Sequence, residues 1–93
     1  MEPLQKAADL FKAVADVGRL RIIQSLKGGE KSVTAISEEI GDDVSIVSNR
    51  LKILYQQRLI RKRRDGKYIY YSLADEHVHQ LIVNAVDHVI ECE

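Results

Sequence analysis

The chain has 93 residues whose formal charges cancel, 14 Lys and Arg against 14 Asp and Glu, and 45% of them are hydrophobic. That size predicts one small domain over residues 1–93 with a limited core, so burial against a second copy would add useful core. No apolar run approaches the ~20 residues of a membrane span and no secretory leader is evident. The single cysteine, Cys92, excludes an internal disulfide. A cytoplasmic setting is expected.

The balanced total hides a sorted sequence. From Arg50 to Lys67 there are eight basic residues against one acid, Asp65. From Asp75 to Glu93 there are five acids and no Lys or Arg. Because the basic block also carries Leu51, Ile53, Leu54, Leu59 and Ile60 at core spacing, it reads as folded surface facing a polyanion, for which nucleic acid is the natural candidate.

In chain order, Leu4 to Ala15 reads as an amphipathic helix with Pro3 suited to its first turn. Asp16 can cap a second helix over Val17 to Leu26, which Gly28-Gly29 ends. Ser32 can cap a third through Ile40, stopped by Gly41, and Asp43 a fourth running to about Gln57. Two short helices joined by a few residues around a glycine form a helix-turn-helix. Then two strand-forming runs flank Asp65-Gly66, a hairpin signal in which both central residues are expected at positive φ. Ile69, Tyr71 and Leu73 alternate toward one face, with Tyr68 and Tyr70 on the other. The predicted fold is mainly α with a small β-hairpin: a winged helix-turn-helix, dimerised through its first and last helices.

Within that fold the N-terminal half of the fourth helix, Ser45, Val47, Ser48, Asn49 and Arg50, is the part that enters a major groove. Asn can pair bidentately with adenine and Arg with guanine. Arg63, Arg64 and Lys67 around the hairpin tip are expected on phosphate or in the minor groove.

The last helix, about Asp75 to Glu91, carries a stripe of Val78, Leu81, Ile82, Ala85, Val86, Val89 and Ile90. His77 and His88 project from nearly one side, eleven residues apart, or roughly 16 Å at 1.5 Å per residue. One ion cannot reach both from one helix, since metal–nitrogen bonds are about 2 Å. An antiparallel second copy can set His77 opposite His88. The same register brings Asp75 within one residue of facing Glu91 and puts Ile82 and Val83 near the two-fold. These four residues therefore read as a metal site split across a homodimer, occurring twice. His79 falls at the opposite border of the stripe and is left out.

At this point the sequence resembles the ArsR/SmtB family of metal-responsive winged-helix repressors over nearly its whole length. The stretches FKAVADVGRLRIIQSL, VTAISEEIGDDVSIVSNRLKILYQQRLIRKRRDGKYIYYSL and DEHVHQLIVNAVDHVIE carry the likeness. The last is similar to the zinc-sensor branch with ligands on the C-terminal helix, D-x-H from one protomer and H-x-x-H or H-x-x-E from the other. That resemblance implies Asp75, His77, His88 and Glu91 as ligands, Zn(2+) as effector with Co(2+) binding in vitro, double-stranded operator DNA as partner, and a repressor released by metal. The chain departs from the pattern in several places. Ser32 and Thr34 stand where sensors of thiophilic metals carry cysteines. Asp16-Val17-Gly18-Arg19 replaces the usual Asp-Pro-Thr-Arg. Asp42 follows Gly41 where an apolar residue is common, and Asn49 and Arg50 replace commoner recognition-helix residues.

The competing expectation is a constitutive or redox-responsive DNA-binding protein acting through Cys92, which has no neighbouring base in sequence. An enzyme is not expected. His88-x-x-Glu91 lacks the metalloprotease spacing, and four protein ligands leave no open position for substrate water.

Overall fold

The computed structural model describes residues 2–92, which form five helices and three short strands. Helix α1 (Pro3–Val14) begins with Pro3 in its first turn. Helix α2 (Val17–Leu26) is capped by Asp16, whose carboxylate accepts the Arg19 N–H at 2.9 Å. The Arg19 side chain then reaches back to donate to the Ala13 carbonyl at 2.5 Å, splinting the end of α1 to the start of α2.

Strand β1 (Lys31–Ser32) leads directly into α3 (Val33–Ile40), and α4 (Val44–Gln56) follows after a tight turn. Strands β2 (Ile60–Asp65) and β3 (Tyr68–Leu73) make the hairpin, and α5 (Glu76–Glu91) closes the described chain. The sheet order is β1-β3-β2, antiparallel throughout. Lys31 pairs with Tyr71 and Ser32 with Tyr70, so β1 adds a third strand that a two-residue stretch gives no periodicity to reveal.

One core joins all five helices to the base of the hairpin. Ile22 and Ile23 of α2, Ile36 of α3, Val47, Leu51 and Leu54 of α4, and Leu59 and Ile60 are its most enclosed members. Ala13 and Val14 enter it from α1 and Val78 from α5.

The expected boundaries hold at Asp16, Ser32, Gly41 and Asp75. Ser32 accepts the Ala35 N–H at 3.2 Å, Asp75 the Val78 N–H at 3.2 Å, and Gly41 takes φ 87° where a side chain would be strained. Three details differ from expectation. Asp43 sits at the start of α4 but makes no side-chain cap bond. In the hairpin, Asp65 pairs with Tyr68, so the two-residue turn is Gly66-Lys67, not Asp65-Gly66. Only its first residue has positive φ, 63° at Gly66, which suits a turn with glycine at the first central position. Ile69 shares a face with Tyr71 and Leu73 but lies beyond the core and is exposed.

Candidate nucleic-acid interface and metal ligands

The inward face of α4 is Val47, Leu51 and Leu54, at positions one and two helical turns apart. That fixes the outward face: Ser45, Ser48, Asn49 and Lys52 are all exposed. The expectation that Val47 belongs with the contacting residues is corrected, because its side chain is fully buried between the helices. Lys52 was missed. It stands four residues after Ser48 and three after Asn49, so helical spacing alone places it on the same face.

Arg50 is also placed differently from a free base reader. It is half-buried, and its guanidinium bonds to the Asp42 carboxylate at 2.6 Å, next to Gly18 of α2. Sequence gave no sign of this pairing, since the acid lies eight residues away across the α3–α4 turn.

The wing distributes its cations unequally. Arg63 is bidentate with Glu30, at 2.5 and 3.2 Å, with Asp65 at 3.9 Å and the Tyr70 ring 5.1 Å beneath it. The hydrogen bond from Arg63 holds the Glu30 carboxyl below its ordinary value, and Glu30 in turn raises Arg63. Arg63 is therefore committed to the base of the wing. Arg64 donates to the Gly66 carbonyl of its own turn, at 3.3 Å, and Lys67 lies 5.5 Å over the Tyr68 ring. Both are exposed at the tip and present their charge to solvent. Lys62 lies 4.3 Å over the Tyr55 ring at the other end of α4.

The four expected metal ligands all lie on or beside α5, in two pairs at its opposite ends. Asp75 caps the helix with one carboxylate oxygen, and that oxygen is 3.5 Å from Nδ1 of His77, whose side chain is 96% exposed. His88 and Glu91 are exposed in the last turn. Among the described residues, no three His, Cys, Asp or Glu side chains gather within one chain. The donor set fits a borderline divalent ion, two imidazoles and two carboxylates with no thiolate, and the exposure of each leaves its ligand atoms approachable. His79 is half-buried in a cleft of about 220 Å³ between α2 and α5, with Ile23, Lys27 and Ile82, and also lines a neighbouring cleft that includes Asp75. Cys92 does have a base nearby, contrary to the sequence reading: its Sγ is 3.6 Å from Nε2 of His88.

Around these ligands much of the apolar surface is uncovered. Val86, Val89 and Ile90 are 44, 58 and 61% exposed, and on α1 Leu4 and Phe11 are 74 and 54% exposed. Ile82, by contrast, packs on the core of its own chain.

A helix-turn-helix whose second helix turns a polar face outward, followed by a basic antiparallel wing, defines a winged helix-turn-helix regulator. Residues 16–62 match the family described as bacterial regulatory protein, arsR family, and the chain belongs to it. It is 39% identical over 93 residues to the transcriptional repressor SmtB homolog of Synechocystis sp., covering 100% of this chain and 70% of that protein. It is 41% identical over 78 residues to the HTH-type transcriptional regulator KmtR of Mycobacterium tuberculosis, covering 84% of this chain and 60% of the relative. The fold is also that of the homodimeric winged helix-turn-helix DNA-binding domain from Mycobacterium bovis. The TM-score there is 0.82 at 34% identity, over 97% of this chain and 82% of the other. These relatives are transcriptional regulators and not enzymes.

Proposed function

We propose that the chain is a cytoplasmic, homodimeric, metal-responsive repressor that binds double-stranded operator DNA and is released when zinc bridges its α5 helices. The observation that carries this reading is the layout of α5: an Asp–His pair at one end, a His–Glu pair at the other, and an exposed apolar surface between and beside them. A second antiparallel copy would cover that surface and bring unlike ends together. Kinship with the Synechocystis repressor, and with the cadmium resistance transcriptional regulatory protein CadC homolog of Staphylococcus aureus at 37% identity, supports the same reading.

On the DNA side, Ser45, Ser48, Asn49 and Lys52 would face base edges and phosphates in the major groove, while Arg64 and Lys67 would hold the backbone from the wing. On the effector side, Asp75 and His77 of one copy with His88 and Glu91 of the second copy would hold the ion. Held by those four residues, zinc, or cobalt in vitro, would supply a cross-link between the two helices. Asp75 keeps its cap to Val78 through one oxygen and has the other free for a ligand role. The angle between the α5 helices sets the spacing of the two reading heads. DNA suited to one spacing and zinc to another are then reciprocally coupled, typically by about 1–3 kcal/mol.

The test is titration of the purified protein with Zn(II) and Co(II), following stoichiometry and duplex affinity together. Two ions per dimer and weakened DNA binding are expected. His77→Ala and His88→Ala should each abolish release. A mixed dimer of the two variants should recover one strong site, because one site then loses both histidines and the other keeps both. No recovered site in the mixed dimer rejects the pairing across copies. The contact between Cys92 and His88 supports a second reading, a redox-responsive regulator without a metal site. Parallel assays with oxidant and reductant separate the two.

A further inference from the structure

Three departures from the family pattern, far apart in sequence, meet in space: Gly18 in the first turn of α2, Asp42 in the α3–α4 turn, and Arg50 in α4. The Arg50 guanidinium bonds to Asp42 at 2.6 Å, with both side chains about one-third exposed or less. It lies directly against Gly18. A Cβ built on that glycine would overlap Arg50 Cζ and stand 2.6 Å from Nε and 2.7 Å from Nη2. Gly18 has no positive φ that would call for glycine, so its backbone would accept alanine. What alanine would displace is the far end of a flexible side chain and not backbone. The missing side chain at position 18 is therefore the space that the guanidinium fills.

We propose that Gly18, Asp42 and Arg50 form a clip that aligns the recognition helix α4 on α2, making Arg50 a positioning residue for DNA reading and not itself a contact to DNA. The clip works through geometry and charge. Arg50 joins the middle of α4 to the turn preceding it, while its guanidinium seats against the start of α2, so the tilt of α4 is fixed from both sides. Asp42 cancels the charge of Arg50, leaving Lys52 as the cation on the outward face of α4. Sequence preference then falls to Ser45, Ser48, Asn49 and Lys52, set at the angle the clip imposes. This inference rests on α4 being the DNA-reading helix.

The experiment uses the full chain, a labelled duplex selected from a random pool by the wild-type protein, and an unrelated random duplex, each over a salt series. With a clip, Arg50→Ala lowers affinity for the selected duplex severalfold and leaves the salt slope on the random duplex unchanged. Asp42→Asn combined with Arg50→Ala should melt no lower than the worse single variant, because the two remove one interaction. Gly18→Ala should stay folded and reproduce the loss of selected-to-random preference. A fall of about 0.9 in the salt slope on Arg50→Ala would show a direct phosphate contact and overturn the proposal. So would additive melting losses for Asp42 and Arg50. Asn49→Ala separates the two layers of the argument. If it leaves the preference intact, the assignment of α4 as reader fails and the DNA role of the clip falls with it. If it removes the preference while Arg50→Ala does not, only the clip is refuted.

Discussion

Helices α4 and α5 are built from similar residues and meet opposite fates. Both carry an apolar stripe at helical spacing. The stripe of α4, Val47, Leu51 and Leu54, is enclosed almost completely by its own chain. On α5 only Val78 is buried, Ile82 packs at the edge of the core, and Val86, Val89 and Ile90 stand open. The stripe on α4 is thus used up inside one chain, which frees its polar side for recognition. The stripe on α5 runs past the end of the core, and α1 repeats the pattern, burying Ala13 and Val14 while Leu4 and Phe11 remain outside. The same periodicity that encloses a core in one helix leaves an exposed apolar face on the other.

The contrast can be broken most sharply by matched substitutions. Leu51→Ala should cost the fold about 2–5 kcal/mol, the usual range for truncating an enclosed leucine, read by denaturant melting. Ile90→Glu should leave that melting transition of the single chain nearly unchanged and abolish self-association. Each buried isoleucine contributes about 1.5–3 kcal/mol and a two-fold contact doubles the loss, so dimer affinity should fall by at least about 100-fold. Sedimentation that still finds a dimer at micromolar Ile90→Glu would place the docking face elsewhere. Ile82, though nearer the expected two-fold, is the poorer probe because it also packs on its own core.

A smaller effect distinguishes cations within the wing. Arg64→Ala should reduce the salt slope of duplex binding by about one unit, because its charge is free to meet a phosphate. Arg63→Ala should reduce it much less, since Glu30 and Asp65 already engage that guanidinium. Equal slopes for the two variants would remove the distinction.

The smallest effect is in acid. Arg63 lowers the Glu30 carboxyl below its ordinary 4.5. The stabilisation from this pair is therefore present above that value and disappears as pH falls through the lowered one. An NMR titration should find the Glu30 midpoint under 4.5 in the natural chain and shifted upward in Arg63→Gln. An unmoved midpoint would mean that the pair does not persist in solution.

What the sequence made legible was whatever is encoded locally. Asp16, Ser32 and Asp75 announce helix starts because a side chain and a backbone N–H three residues on satisfy each other. Gly41 announces a stop because only a left-handed residue turns the chain there. The order helix-turn-helix, wing, terminal helix follows from these signals and from the period of the apolar residues. What stayed hidden depends on tertiary partners. Arg50 and Arg63 read as free cations until folding brings up Asp42 and Glu30, the latter 33 residues distant from its arginine. Val47 read as a contact because it sits among polar residues, yet its phase relative to Leu51 and Leu54 turns it inward. The turn at Gly66-Lys67 lies one residue beyond the Asp-Gly signal because strand register, fixed by Tyr71 and Leu73 packing on the core, decides which residues face each other.

Ser32 belongs to two parts of the molecule at once. Its backbone lies in β1 opposite Tyr70, and its hydroxyl caps α3 through the Ala35 N–H. The foot of the wing and the first turn of the reading motif are therefore one joint with no slack between them. The far end of the hairpin has no such attachment and extends beyond the core. A change at the tip therefore reaches α3 only through the length of the hairpin, whereas a substitution at position 32 acts on the strand pairing and on the α3 cap together.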